Sequence, residues 1–267
     1  MEQQEAQDQD FAWFVKKVNE YSGIDLSQYK EAQMKRRLST LCAKKGFPSF
    51  AAFYNAMTAD RELYHEFLDR MTINVSEFWR NANRWETLEQ KLLPDLAKTN
   101  SRLKCWSAAC STGEEPYTLA MILAERNLLD FSRILATDID EGALEKAKKG
   151  VYPDRQLKEV PAKYISKYFA RNGSDYEVID PLKQKVKFAR QNLLSDPFEK
   201  DFDLIICRNV LIYFTDDAKQ MLYHKFSRAL RPGGLLFVGS TEQIFSPGQY
   251  ALEPAETFFY RKKTDQV

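Results

Sequence analysis

Histidine and glycine are scarce in this chain. The two histidines, His65 and His224, stand far apart, and the four cysteines, Cys42, Cys105, Cys110 and Cys207, form no C-x-x-C pair. Tetrahedral zinc needs clustered nitrogen and sulfur ligands, so this pattern argues against a metal site; the cysteines read as buried free thiols of a reducing cytoplasm and the histidines as surface or packing residues. The ten glycines nowhere assemble G-x-G-x-x-G, which removes the fingerprint of a nicotinamide oxidoreductase. No apolar run reaches 18 residues, and the opening MEQQEAQDQD is acidic and polar. Both facts argue against membrane insertion and a signal peptide, and the opening reads as a frayed end. An excess of one charge is also missing: 39 Lys and Arg face 38 Asp and Glu, a net charge of +1. No overall field draws such a chain to nucleic acid or an anionic membrane, so any electrostatic partner site is local.

The 267 residues suffice for one large domain or two modest ones. Up to residue 72 the pattern is helical. Phe11, Phe14, Val15 and Val18 share a face and Gly23 stops that helix; Met34, Leu38 and Leu41 mark a second, ending at Gly46; PSFAAFYNAMTA and DRELYHEFLDRMTI complete the unit. MTINVSEFWRN and a helix over roughly 83–98 lead onward. From residue 103 short apolar runs alternate with helices: RLKCWSAA, SRILATDID, FDLIICRNV and LLFVGS are the strands. That alternation predicts an α/β fold with a parallel sheet covered on both faces. YEVIDPLKQKVKFAR, residues 176–190, alternates at period two around Asp180–Pro181 and reads as a small antiparallel ribbon inserted in the α/β unit.

In an open parallel sheet ligands bind at the carboxyl ends of the strands. Residues 109–115, from the stretch SAACSTGEEPYTLA, lie there. They offer one glycine, Gly113, with Glu114 and Glu115 behind it, a charge that would repel a pyrophosphate at a helix N-terminus. The loop suits a ligand with a positive end and no phosphate, as in S-adenosylmethionine (SAM). The second strand ends in ATDID, placing Asp138, 25 residues after Gly113, where a carboxylate accepts both ribose hydroxyls. The competing reading makes Glu114 a first-turn acid favoured by the helix dipole, while Asp140 is better placed than Asp138 to cap the next helix.

With MTINVSEFWR, WSAACSTGEEPYTLA, ATDID, QNLL and FDLIICRNVLIYF in this order, and STEQIF near residue 245, nearly the whole chain resembles the CheR-type chemotaxis receptor methyltransferases. The resemblance implies a Rossmann-like class I SAM methyltransferase domain with an inserted small antiparallel β-subdomain, preceded by an all-helical N-terminal domain. It divides the chain into a helical receptor-docking domain at 1–72, a linker and connecting helix at 73–98, and a methyltransferase domain at 99–267 with the insert at about 160–190. It implies methyl transfer from SAM to glutamate side chains on cytoplasmic chemoreceptor helices, yielding glutamyl methyl esters and S-adenosylhomocysteine. The implied cofactor contacts are Asn74, Ser76 (Thr in many relatives), Arg80, Glu114, Asp138, Asn192, Leu193, Arg208 and Asn209, and the implied active-site pair is Arg80 and Tyr213. On sequence alone, Tyr213 would read as a core aromatic.

A glutamate carboxylate, whose ordinary pKa is about 4.3, is already ionised at neutral pH and needs no general base, which agrees with the absence of a motif histidine. Between residues 30 and 45, Lys30, Lys35, Arg36, Arg37, Lys44 and Lys45 face a single acid, Glu31, a local charge of +5. Lys35, Arg36, Arg37 and Lys44 are the docking candidates for acidic receptor helices, against the alternative of a solvated face. The insert would either dock a receptor C-terminal peptide, as in some relatives, or act as a flap. The expected setting is a cytoplasmic monomer recruited to membrane-bound chemoreceptors, with no nucleic-acid partner and no metal. Two readings compete. A SAM enzyme acting on nucleic acid or a small molecule lacks the basic aromatic patch or N/D-P-P-Y motif it would need. A non-catalytic SAM-binding scaffold would be expected to have lost some of Arg80, Glu114, Asp138 and Tyr213.

Overall fold

A computed structural model describes residues 2–264, so the outer ends of the two expected domains, Met1 and residues 265–267, lie outside the described residues. Four helices, α1 (Glu2–Ser22), α2 (Glu31–Lys44), α3 (Phe50–Ala59) and α4 (Arg61–Thr72), form the N-terminal unit. Their starts are written locally. Ser49 accepts from the Ala52 amide at the head of α3, Asp60 accepts from Glu62 and Leu63 at the head of α4, and Gly23 leaves α1 with φ at 72°. Phe14, Phe53 and Phe67, all at 0% exposure, close the core with ring centroids 5.9–6.5 Å apart. The acidic opening is not a frayed end. Helix α1 runs from Glu2, and it is tied down from Asp8, which pairs with Lys35, and Asp10, which takes the free amides of Phe50 and Ala51 at the head of α3.

The connecting segment is helical from Ala82 to Thr99, as α5 (Ala82–Thr87), a π turn at Leu88–Leu92 and α6 (Leu93–Thr99). Pro94, which has no amide to donate, is the second residue after the π turn. The second domain is built on strands β1 (Lys104–Ala108), β2 (Arg133–Asp138), β6 (Val186–Arg190), β7 (Phe202–Cys207), β8 (Leu230–Val238), β9 (Leu252–Glu256) and β10 (Phe259–Lys262), in the spatial order β6-β2-β1-β7-β8-β10-β9. The first five are parallel and the last two join antiparallel. Helices α7 (Glu114–Glu125), α8 (Glu141–Lys149) and α11 (Asp216–Ala229) supply the crossovers. The core around Phe14 and Phe67 is continuous with Trp106, Phe202 and Phe226 between the sheet and α11, while Trp85, α7 and Phe237 fill the other face. Burial on both faces is why these strands read as unbroken apolar runs.

The expected ribbon at 176–190 does not form. A three-stranded antiparallel sheet, β3 (Val151–Pro153), β5 (Asp175–Val178) and β4 (Phe169–Asn172), makes the insert, with α9 (Ala162–Tyr168) leading into β4. Asp180–Pro181 starts a short helix, α10 (Asp180–Lys183), rather than a hairpin turn, and β6 then pairs with β2. The physical reason is burial: in the main sheet Val186 is 6% exposed and Phe188 packs its ring 5.7 Å from Tyr117, a partner that β5 does not offer. The true hairpin lies one step earlier, at the two-residue turn Gly173–Ser174 closed by the Asn172–Asp175 pair, with Gly173 at φ 61°. The C-terminal hairpin β9–β10 is a further element that the apolar runs alone do not announce.

Replacing Phe14 by alanine should remove about 3–5 kcal/mol from the unfolding free energy, read as a lower urea midpoint, because the rings of Phe11, Phe50, Phe53, Tyr54 and Phe67 would face an unfilled space.

Candidate functional site

The carboxyl ends of β1, β2, β6 and β7 meet the segment Met71–Glu77, Arg80 and Tyr29 around a cavity of about 940 Å³, part of it open to solvent. Topology puts it there: β1 lies between β2 and β7, so the loops after these strands open onto one crevice. The helical unit closes it. Residues 28–30 run as a short antiparallel segment against 213–215, with the Lys30 amide donating to the Tyr213 carbonyl at 2.9 Å and the Thr215 amide donating to the Gln28 carbonyl at 2.8 Å.

The β1–α7 loop is tightly built. Ala109, Ser111 and Gly113 all take positive φ, and a Cβ on Gly113 would come within 2.9 Å of Ala147 and Tyr152. The one glycine is therefore required by packing against α8 and β3, not by a phosphate. Two adjacent acids then part company, since successive helical residues point about 100° apart. Glu114 does not line the cavity. It is fully buried behind the loop, accepting from Thr112 Oγ1 at 2.8–2.9 Å and from Gln156 Nε2 at 3.0 Å. Glu115 takes the place that the resemblance implies for Glu114. It lines the cavity, accepts from Ser107 Oγ at 2.7 Å, and lies 3.9 Å from the Arg208 guanidinium. Burial pushes the Glu115 carboxyl up to about 7, against the pull of Arg208.

Asp138 ends β2 at 6% exposure, with one oxygen accepting from the Ser111 amide at 2.8 Å and the other from the Asp140 amide at 3.0 Å. Burial pushes its carboxyl up to about 6. Each oxygen keeps a lone pair for a diol. Asp140 caps α8 through the Ala143 amide, as the sequence suggests, and also accepts from Asn74 Nδ2 at 2.6 Å. Asn74 in turn donates to Asp69 at 3.1 Å and accepts from Ser111 Oγ at 3.1 Å, so its amide is spent on holding the linker to the β1 and β2 loops. Ser76 and Arg80 line the same wall, Arg80 Nη1 donating to the Val75 carbonyl at 3.3 Å.

After β6, Asn192 and Leu193 reach the cavity. The Asn192 side chain also bridges the domains, donating to the Gly23 carbonyl at 3.3 Å and accepting from the Leu194 amide at 3.0 Å. After β7, Arg208 is a buried clamp that donates to the Arg80 carbonyl at 2.8 Å and the Asn81 side chain at 2.7 Å, with its guanidinium 4.6 Å from the Phe237 ring. Asn209, at φ 61°, and Tyr213 complete the lining. The Arg37 guanidinium sits 4.9 Å from the Tyr213 ring centroid. A shallower depression lined by Arg36, Arg37, Arg70, Asp69 and Thr40 adjoins the cavity through Ile73, Asn74 and Val75. The docking candidates thus divide: Arg36 and Arg37 border the site, Lys35 is tied to Asp8, and Lys44 is exposed about 10 Å further along α2. Neither histidine lines the cavity, and among the described residues no His, Cys, Asp or Glu cluster could hold a metal ion.

The donor set fits SAM. Asp138 faces where a ribose diol would sit, Glu115 supplies a negative charge for a cationic end, Leu193 and Ile139 supply apolar surface, and no lysine among the described residues lines the cavity. A family model described as the SAM binding domain of CheR methyltransferases matches residues 74–259, and its all-alpha companion matches residues 9–72. The chemotaxis protein methyltransferase of Listeria monocytogenes is 43% identical over 256 residues, covering 96% of this chain and 98% of that one. The protein of the same name from Borreliella burgdorferi is 37% identical over 245 residues, covering 86% of each.

A pH dependence follows from the Glu115 carboxyl. It must be ionised to oppose a cation, so SAM affinity should rise between pH 5.5 and 8 as that group loses its proton near 7. Calorimetry on Glu115→Gln should give a weaker affinity with a flattened profile.

Matched by both family models and by relatives along nearly its whole length, the chain belongs to the CheR methyltransferases and is a SAM-dependent chemotaxis methyltransferase.

Proposed function

We propose that this protein methylates glutamate side chains on the cytoplasmic helices of chemoreceptors, forming glutamyl methyl esters. The observation that carries the reading is the polarity of the site. An acidic end, Glu115 and Asp138, suits the cationic cofactor, and the rim beyond it carries Arg80, Arg36, Arg37 and Arg70 against Asp69 and Glu77, a net positive charge. SAM, when bound, supplies an electrophilic methyl group on sulfur. A carboxylate entering past the arginines is attracted and held, and it needs no base to remove a proton. In this reading Arg80 orients the carboxylate through charge-assisted bonds, and Tyr213 donates its hydroxyl at the reacting centre. The demand on both is positional: an oxygen placed about 3–3.5 Å from the methyl carbon and in line with the departing sulfur.

The cofactor assignments follow the same geometry. Asp138 takes the ribose; Asn192 and Leu193 border the base; Asn74, Ser76, Arg208 and Asn209 shape the walls. The helical domain, 1–72, serves as the receptor-docking unit, with Arg36 and Arg37 as its contacts at the site. Among the described residues no helix is long and apolar enough to cross a membrane, so the reading places the enzyme against receptors rather than in the bilayer.

Incubation with tritiated SAM and chemoreceptor-bearing membranes should give label released by mild alkali, the mark of an ester. Arg80→Ala should lower the rate about 10–100-fold with SAM binding retained. Alkali-stable label, or none, would sink the ester assignment. Reversing the rim charge in Arg36→Glu should raise the KM for receptor about tenfold while leaving SAM affinity within twofold, because like charges would then meet.

A further inference from the structure

Glu242, in the segment after β8, is 4% exposed and lies outside every role described so far. One of its oxygens, Oε2, accepts from the Asn209 amide at 2.7 Å and from the Gly239 amide at 2.7 Å; the other, Oε1, accepts from the Ile212 amide at 3.3 Å. The carboxylate thus ties together the loops that leave two adjacent parallel strands, β7 and β8, whose last residues, Cys207 and Val238, are in register. The β7 loop carries Asn209 in the left-handed region and then the 3₁₀ turn Leu211–Tyr213. Three amides that would otherwise point at one another are held by a single negative charge. Burying that charge costs free energy and pushes the carboxyl up, which the amide bonds partly offset. The fit is closed on the other side too. A Cβ on Gly239 would lie 2.4 Å from Glu242 Oε2 and 2.9 Å from the Asn209 nitrogen.

We infer that Glu242 is a positioning residue for methyl transfer, holding the Asn209–Tyr213 turn so that the Tyr213 hydroxyl and the Asn209 side chain meet the cavity. It acts from outside the cavity and touches neither cofactor nor substrate. The inference rests on the assignment of Tyr213 to the reacting centre.

The test compares kcat, receptor KM, SAM affinity by calorimetry and thermal melting for Glu242→Gln, Tyr213→Phe and the double variant. Glu242→Gln keeps one acceptor oxygen but turns a donor toward opposing amides. It should lower kcat about tenfold and weaken SAM binding a few-fold through Asn209, with receptor KM within twofold. If Glu242 works through Tyr213, the double variant should fall no lower than Tyr213→Phe. Gly239→Ala provides a second route: it crowds the same carboxylate without removing its charge and should give the same kinetic signature. Effects that multiply in the double variant, or a kcat for Glu242→Gln within twofold of the parent, would overturn the inference. So would loss of cooperative melting in both Glu242→Gln and Gly239→Ala, which would make Glu242 a residue of the fold alone. Full activity in Tyr213→Phe would instead remove the assignment of Tyr213, a separately readable failure.

Discussion

Two aspartates, Asp138 and Asp140, are buried two residues apart at the end of β2, and the site is assembled around them. Unpaired, two such charges would be expensive. Here every oxygen is engaged: Asp138 takes the Ser111 and Asp140 amides, and Asp140 takes the Ala143 amide and the Asn74 side chain. These bonds lock four chain segments together, namely the β1 loop, the β2 end, the start of α8 and the interdomain linker. Asn74 extends the lock by accepting from Ser111 Oγ. The positive φ values of Ala109 and Ser111 persist in a loop held at both ends in this way.

The helical domain is part of the same construction. Its aromatic core runs without interruption into the layer between the sheet and α11, and its 28–30 segment is hydrogen-bonded to the backbone on either side of Phe214. Helix α2, directly after that segment, brings Arg37 onto the Tyr213 ring. The basic face of α2 and the Tyr213 end of the cavity are therefore joined through a few residues of hydrogen-bonded backbone. On the far side Glu242 fixes the same turn from below, so Tyr213 is constrained by elements drawn from three parts of the chain.

Much of this is legible in the residue order. Periodicity marks the four N-terminal helices, and the apolar runs mark four of the five parallel strands, because strands buried on both faces carry their environment in composition alone. The motifs NVSEFWR, ATDID, QNLL and CRN do converge on one cavity. The departures have equally physical sources. Residues 176–190 alternate at period two, as either strand partner would require, and the choice between β5 and β2 rests on the packing of Val186 and Phe188 against α7. The Gly173–Ser174 turn carries a local hairpin signal of its own, a glycine at its first position, which the stronger alternation after it obscures.

Glu114 and Glu115 show where the local code stops. Both sit in the first turn of α7, both suit the helix dipole, and nothing in their neighbours says which one faces the ligand. The placement of the insert, through Gln156, claims Glu114, while Ser107 and Arg208 claim Glu115. Glu242 is still less visible, since two of its partners lie 30 and 33 residues away in sequence and nothing beside it announces them. The sequence by itself determined the four N-terminal helices, four of the five parallel strands, the strand-end location of the site and the chemical character of its ligand, because period, apolar content and charge are properties of short segments. Only the tertiary structure decided which of two adjacent acids lines the cavity, which sheet β6 joins and what holds Tyr213, because those depend on which distant groups can satisfy a buried charge or fill a buried face.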